Sequence, residues 1–410
     1  MKVTVLTLGC RVNQSESSVI EASLEVNGIN LVELNDKPDY CVVNTCSVTA
    51  KSDYTSRQLI RRAAKTGARV IVTGCYAHLK QDTVKKIAGV TEIVDNTRKY
   101  DIVKIITGRK NDLVFSHHSR SRPHLKVQDG CNFKCSYCTV PMARGRSKSV
   151  PLHEIIERIQ SIESAGYNEV VLTGVHLGSY GLDLPDKSSL KHLIKSILKA
   201  SGIKRIRLSS LEINEVDDEL AELLQDIRLC RHIHLPLQSG STKVLKLMKR
   251  NYTLSSFFSK IDKILSKVDN IAVGSDIIVG FPGEGDAEFQ ETYTHLKSIP
   301  FSYLHIFPFS ERPNTDAYRM KGKISSSTIK KRLNVLIDLN REKRRLYLEN
   351  QLDRVLDVVV EDKVKNVHAV GTSGNYIKVL MPFVNARKGS IVFARPLRVL
   401  DNVIEGNIIP

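Results

Sequence analysis

Short β-branched runs separated by helix-length segments recur through most of this chain, and that alternation restricts it to parallel sheets covered by helices. In residues 1–95 the runs are VTVLTL, YCVVN and ARVIVTGC. Between the first two, NQSESSVIEASLEVNG opens on an Asn-x-x-Glu capping signal and closes near Asn27-Gly28, which predicts a helix bounded by those marks. The pattern weakens from about 96 to 121, where the polar segment SHHSRSRP reads as a linker. From 122 to about 325 it resumes as LKVQDG, EVVLTG, KRIRLSS, HIHLPLQ, IAVGSDIIVG and SYLHIFPFS. Six β units fall short of a full eight-fold barrel and predict a partial, open (β/α)6 barrel. Residues 326–350 read as one long basic amphipathic helix. The remaining run of about sixty residues holds five short strands, enough for a small β-barrel. The expected fold class is α/β: an N-terminal parallel α/β domain (1–110), a central partial barrel (111–348) and a small C-terminal β-barrel (349–410).

Bulk properties narrow the function. A chain of 410 residues with 41% hydrophobic and 26% charged residues is a soluble globular protein of two or three domains. No stretch approaches the roughly 20 apolar residues that cross a bilayer. The opening MKVTVLTLGCRVNQ reads as a first strand, with no cleavage site of a secretory leader. A cytoplasmic protein without a membrane partner is expected, and clustered thiols there bind metals more often than they pair. Lys and Arg number 61 against 44 acidic residues, a net charge of +17 that favours a polyanionic partner such as nucleic acid.

Cysteine placement carries the chemistry. Cys131, Cys135 and Cys138 in DGCNFKCSYC supply three thiolates in one loop. Structural zinc wants four protein ligands, so three suggest a metal group with one position open, or a zinc loop completed by a distant residue. Cys10, Cys46 and Cys75 each follow a predicted strand, where parallel topology puts them on one sheet edge beside helix N-termini that favour thiolates. Again there are three, which fits a second iron–sulfur cluster with an open iron. Cys41 and Cys230 sit in or beside apolar strands and read as packing residues.

With both trios in view, the chain resembles the radical-SAM methylthiotransferases over essentially its whole length. The stretches LGCRVNQSES, VVNTCSVTAKSDYTSRQLIRR, VTGCYA, KVQDGCNFKCSYCTVPMARGRSKS and VVLTGVHLGSYG resemble the branch acting on N6-threonylcarbamoyladenosine at tRNA position 37. The isopentenyladenosine branch resembles GCQMN at the first cysteine and the ribosomal-protein branch GCPKN, whereas Arg11-Val12-Asn13 matches neither. Met142 stands where a Tyr is common, Asn314 replaces a usual Gly, and the C-terminal region diverges from the RNA-binding TRAM barrel it is similar to.

The resemblance implies two 4Fe-4S clusters, one on Cys131, Cys135 and Cys138, the other on Cys10, Cys46 and Cys75. It implies that the first chelates S-adenosyl-L-methionine and yields an adenosyl radical that takes hydrogen from C2 of the target adenine. The second would carry or donate sulfur, and a further S-adenosylmethionine the methyl group. Cosubstrate contacts are expected at strand ends: Thr173, Gly174, Val175 and His176; Ser209 and Glu212; Gln238; and Gly280, Phe281, Pro282, Gly283 and Glu284. Arg144 and Arg146 are expected at the cosubstrate carboxylate or RNA phosphate, and Arg57, Arg61 and Arg62 as an RNA-facing stripe. Partners implied are the tRNA anticodon loop and an electron donor, with a monomer sufficient. The rivals are a methylthiotransferase for isopentenyladenosine or a ribosomal protein, and a non-catalytic RNA-binding iron–sulfur carrier.

Overall fold

The computed structural model describes residues 1–109, 113–115, 120–364, 368–382 and 387–409. At the N-terminus five parallel strands lie in the order Asn30–Leu31, Lys2–Thr7, Tyr40–Thr45, Arg69–Gly74, Val90–Ile93. Val42 packs with Val3, Ile20, Leu24 and Ile71 on one face, while Val43 packs with Ile60, Val70 and Val72 on the other. Successive side chains alternate across the sheet, so strands apolar at every position need helices on both faces. This strand order reverses direction between Lys2–Thr7 and Tyr40–Thr45, and doubly wound sheets bind ligands at the carboxyl ends beside such a switch point.

Two expectations change here. The first helix spans Arg11–Val26 with Cys10 as its N-cap and no side-chain cap, so Asn13 and Glu16 lie inside it instead of forming a capping box. Both are spent on tertiary contacts described below. The segment read as linker contains the helix Asp101–Thr107, which buries Ile102, Val103 and Ile106 against the sheet. Of SHHSRSRP, residues 116–119 lie outside the described residues.

The central region has the six expected strands, all parallel: His124–Lys126, Glu169–Thr173, Arg205–Leu208, His232–His234, Ala272–Val279 and Tyr303–Pro308. They form two three-stranded sheets, because Arg205–Leu208 meets the approach to the short fourth strand only at the Ile206–Leu229 bridge. The two outermost strands do not pair with each other, so the barrel is open. Exposed ladder groups invite foreign pairing, and both edges are blunted by side chains. The Lys126 amide donates to Ser15 Oγ (3.0 Å) of the first helix. The Leu304 amide donates to Asn340 Oδ1 (2.7 Å) of the long helix Ser326–Glu349.

Five strands close the C-terminal barrel in the order Leu356–Val364, His368–Ser373, Lys378–Pro382, Val403–Ile409, Ile391–Leu400. It caps the N-terminal ends of the central strands through charge. Buried Glu169 accepts from Arg207 Nε at 2.8 Å and from Arg205, while Arg207 donates to the carbonyls of Ser373 (2.9 Å) and Gly374 (3.1 Å). Burial alone would raise the Glu169 carboxyl, but Arg205, Arg207 and Arg122 hold it far below the usual range. Cys41 and Cys230 are buried as expected.

Candidate active site

The three N-terminal cysteines gather at the carboxyl ends of adjacent parallel strands. Cys10 follows Lys2–Thr7, Cys46 follows Tyr40–Thr45, and Cys75 opens the helix Cys75–Leu79 directly after Arg69–Gly74. Gly9 (φ 102°) is the close-approach point: a Cβ there would stand 2.8 Å from Cys46 Cβ and 2.9 Å from its Sγ. Asn13 ties the same loops together, its Nδ2 donating to the carbonyls of Leu8 (2.7 Å) and Thr45 (3.0 Å). Burial pushes the thiols of Cys46 and Cys75 up, and Cys10, Cys46 and Cys75 lie close enough that each thiolate would repel the others. Crowded thiols, with Cys46 and Cys75 resisting ionisation, suit a cationic metal group, which deprotonates its ligands on binding.

The second trio sits in the loop after His124–Lys126. The Cys138 amide donates to the Cys135 carbonyl (3.1 Å), and the Cys131 amide to the Gly145 carbonyl (3.1 Å). Donors point at all three sulfurs. The amides of Phe133 and Val140 reach Cys131 Sγ and Cys138 Sγ at 3.4 Å, and Arg250 Nη1 reaches Cys135 Sγ at 3.4 Å. Burial pushes the Cys135 thiol up and the Cys138 thiol up to about 12, so both stay protonated until a cation claims them. The donor set of both trios therefore fits iron–sulfur clusters.

The two loops face each other. Thr139 Oγ1, beside Cys138, donates to the carbonyl of Ser47, beside Cys46 (3.4 Å). Arg312 clamps the N-terminal side, donating to Ser47 Oγ and Asp53 Oδ2, each at 2.8 Å. Glu16 sits at the centre of the junction, 1% exposed, against Lys99, Lys126 (2.8 Å) and Arg144 (3.0 Å). Arg144 thus departs from the expected role at a cosubstrate or phosphate. Its side chain is buried, donating also to Asp129 Oδ1 (2.8 Å) and Asn13 Oδ1 (2.5 Å), and it locks the two loops together. Arg146 is exposed.

The expected cosubstrate residues divide. Thr173, Gly174, His176, Ser209 and Glu212 do share the strand ends above the triplet. The Gly174 amide donates to Ser209 Oγ (3.4 Å), and buried Thr173 Oγ1 has no partner among the described residues. His176 lies 3.9 Å from Cys131 Sγ and against Glu215. Burial opposes its charge, yet Cys131 and Glu215 carry it up to about 10. Glu212 is taken by Arg250, the same guanidinium that reaches Cys135. Gln238 adopts φ 65° and bridges to Ile277 through its backbone. Glu284 departs from expectation: its carboxylate is buried, accepting from the Gly280 amide (2.9 Å) and Arg332 (2.7 Å), so it braces the turn. That turn, with Gly280, Pro282 and Gly283, still underlies the site, because Phe281 packs with Val244 and Met248 beneath Tyr137 of the triplet loop. Of the expected arginine stripe, Arg61 and Arg62 are exposed, whereas Arg57 is half-buried and donates to Tyr76 Oη (3.2 Å).

Known proteins resemble this chain over most of its length. Residues 125–296 match the radical SAM superfamily, and residues 2–95 match a family described as uncharacterized protein family UPF0004. The threonylcarbamoyladenosine tRNA methylthiotransferase MtaB of Aquifex aeolicus is 38% identical over 382 residues, covering 88% of this chain and 93% of that protein. Its Bacillus subtilis counterpart is 35% identical over 429 residues, covering 98% and 95%. The chain belongs to the radical-SAM methylthiotransferase family. A tRNA-2-methylthio-N(6)-dimethylallyladenosine synthase of Fervidobacterium nodosum is 30% identical over 384 residues, with 89% of each chain covered. The radical S-adenosylmethionine methyltransferase TsrM of Kitasatospora setae shares the fold, with a TM-score of 0.59 at 15% identity, covering 77% of this chain and 76% of that one.

Against that family background one departure has a structural reason. Asn314, where the methylthiotransferase pattern has Gly, adopts φ 69°, a left-handed conformation that Asn tolerates better than other side chains. Met142 is exposed on the helix Val140–Arg144. Sequence reasoning missed Arg250, Lys99 and Asp129, which touch the cysteines or fix their loops, and Glu215, which holds His176. It also missed a hydrogen-bonded chain along the barrel wall. His232 Nε2 and His234 Nδ1 both meet Tyr303 Oη (2.8 and 3.1 Å), and Asp276 Oδ1 meets His234 Nε2 (3.0 Å) and His305 Nδ1 (3.2 Å).

Proposed function

We propose that this methylthiotransferase adds a methylthio group to C2 of N6-threonylcarbamoyladenosine at position 37 of tRNA. The observation that carries the reading is the facing pair of cysteine trios, one on each side of a junction that Glu16 and Arg144 hold shut. The greater identity to the threonylcarbamoyladenosine enzymes than to the dimethylallyladenosine synthase supports the branch. Residues 1–110, 111–348 and 349–410 are its three units.

Cys131, Cys135 and Cys138 would hold one 4Fe-4S cluster and Cys10, Cys46 and Cys75 a second. Bound there with S-adenosylmethionine, such groups supply radical chemistry for an unactivated C–H bond and a sulfur for transfer. The chain's own residues do the positioning. Arg250 steadies Cys135 and orients Glu212, and His176 sets its ring beside Cys131. Thr173, Gly174, Ser209, Glu212, Gln238, Gly280, Pro282 and Gly283 line the strand ends where the cosubstrate would lie. Arg61, Arg62, Lys51 and Lys65 are exposed on or next to the helix Ala50–Ala64, suited to tRNA phosphates. An external electron donor is required, a monomer suffices, and a cytoplasmic location follows from the substrate. Among the described residues no helix is long and apolar enough to cross a membrane.

Mass spectrometry of tRNA nucleosides from a strain lacking this protein tests the reading. The expected result is loss of 2-methylthio-N6-threonylcarbamoyladenosine with other methylthio nucleosides unchanged. Persistence of that nucleoside would refute the assignment.

A further inference from the structure

Deepening the proposed function and resting on it, we propose that Arg11 forms an anion subsite for the carboxylate of the N6 substituent. Arg11 directly follows Cys10, so it belongs to the wall of the same junction. Its side chain runs across to the C-terminal barrel, where Nη2 donates to Tyr376 Oη at 3.2 Å. Tyr376 stands in a turn with φ 62°, and its ring lies 4.3 Å from His232 and 5.5 Å from Tyr303. Arg11, Tyr376, His232 and Tyr303 thus come from three parts of the chain to one polar, aromatic surface inside the open barrel.

The charges around that surface do not cancel. Arg122, Arg205 and Arg207 are engaged by Glu169, Glu361 and Asp357. Asp276, the acid on the adjoining wall, is engaged by His234 and His305. Arg11 has no carboxylate partner among the described residues. Arg344 also lacks one there: its Nη1 is buried without a partner, and its Nη2 reaches only the Tyr376 carbonyl at 3.5 Å. A guanidinium offers five N–H donors in a fork that fits a carboxylate, and Arg11 spends one on a phenol. A half-buried cation with unused donors attracts an anion.

The substrate assigned above has one anionic group apart from its phosphates. The threonylcarbamoyl carboxylate hangs from N6 on C6, the carbon on the other side of N1 from C2. A long side chain next to Cys10 sets its charge away from the sulfur, so a base with C2 toward the thiols can hold its substituent toward Arg11. An isopentenyl substituent carries no charge and would leave this cation unmatched. The other anion of the same chemistry is a tRNA phosphate, and the test separates the two.

The probes are anticodon stem-loop RNAs carrying N6-threonylcarbamoyladenosine or its neutral carboxamide, bound to the cluster-loaded full chain and followed by fluorescence anisotropy. Wild-type protein should favour the acid by about 10- to 100-fold. Arg11→Gln should bring the ratio near one by weakening the acid RNA alone, and Arg11→Lys should restore part of the preference. Equal weakening of both RNAs would place Arg11 on a phosphate and overturn the proposal, as would no change with either. Binding of the carboxamide RNA is the control for folding. Methylthio product from wild-type protein and the acid RNA is read separately, so failure of the underlying function is distinguishable from failure of the Arg11 subsite.

Discussion

Replacing Cys135 with Ala is expected to reduce S-adenosylmethionine cleavage to background while leaving tRNA affinity unchanged. The loop carrying Cys135 is fixed by bonds that do not involve its sulfur. The Ser136 amide donates to the Met248 carbonyl (3.1 Å), Ser136 Oγ to the Leu247 carbonyl (2.8 Å), and the Ala317 amide to the Ser136 carbonyl (2.8 Å). Losing one small side chain therefore removes a ligand without unfolding its support. Two thiols cannot replace three at a cluster whose remaining iron must stay open for the cosubstrate. The exposed Arg61 and Arg62 lie on another element, so phosphate contacts persist. Cleavage by liquid chromatography and tRNA binding by gel shift make the check, and parallel loss of both would place the effect in folding.

Glu16→Gln should have the largest effect on stability. The carboxylate is buried among Lys99, Lys126 and Arg144, and only Asp129 remains to serve the last two once its charge is gone. Breaking a buried ion cluster from one side costs about 3–5 kcal/mol, because the desolvated cations lose their counter-charge. Urea unfolding measures that loss. A pH dependence follows with a definite sign. Burial would raise the Glu16 carboxyl, but its three cations hold it well below 4.5. The folded state therefore binds fewer protons than the unfolded state on the acid side. This contribution is full above about pH 4.5 and is lost as pH falls, so Glu16→Gln should show a shallower acid decline than wild type. An unchanged decline would mean that Glu16 is not the titrating group.

The same residue shows where the sequence could be read and where it could not. Strand runs such as VTVLTL and YCVVN announce themselves because β-branched side chains packed on both sheet faces leave an apolar string. Cys10, Cys46 and Cys75 could be grouped because parallel topology sends every strand end to one edge. Glu16 and Asn13 misled because their spacing is that of a capping box, a local signal, while their partners lie up to 131 residues away. Arg144 misled for the same reason: nothing beside it in sequence reveals Glu16. Arg250 and Tyr376 carry no local mark, and their roles exist only once separate parts of the chain are packed together.

Metal content after anaerobic reconstitution measures most directly whether each of the two trios holds a cluster. Wild-type protein should bind about eight irons, and replacing Cys10, Cys46 and Cys75 together by Ala should leave about four with S-adenosylmethionine cleavage retained. About four irons in wild type, undiminished in that triple variant, would contradict the two-cluster assignment.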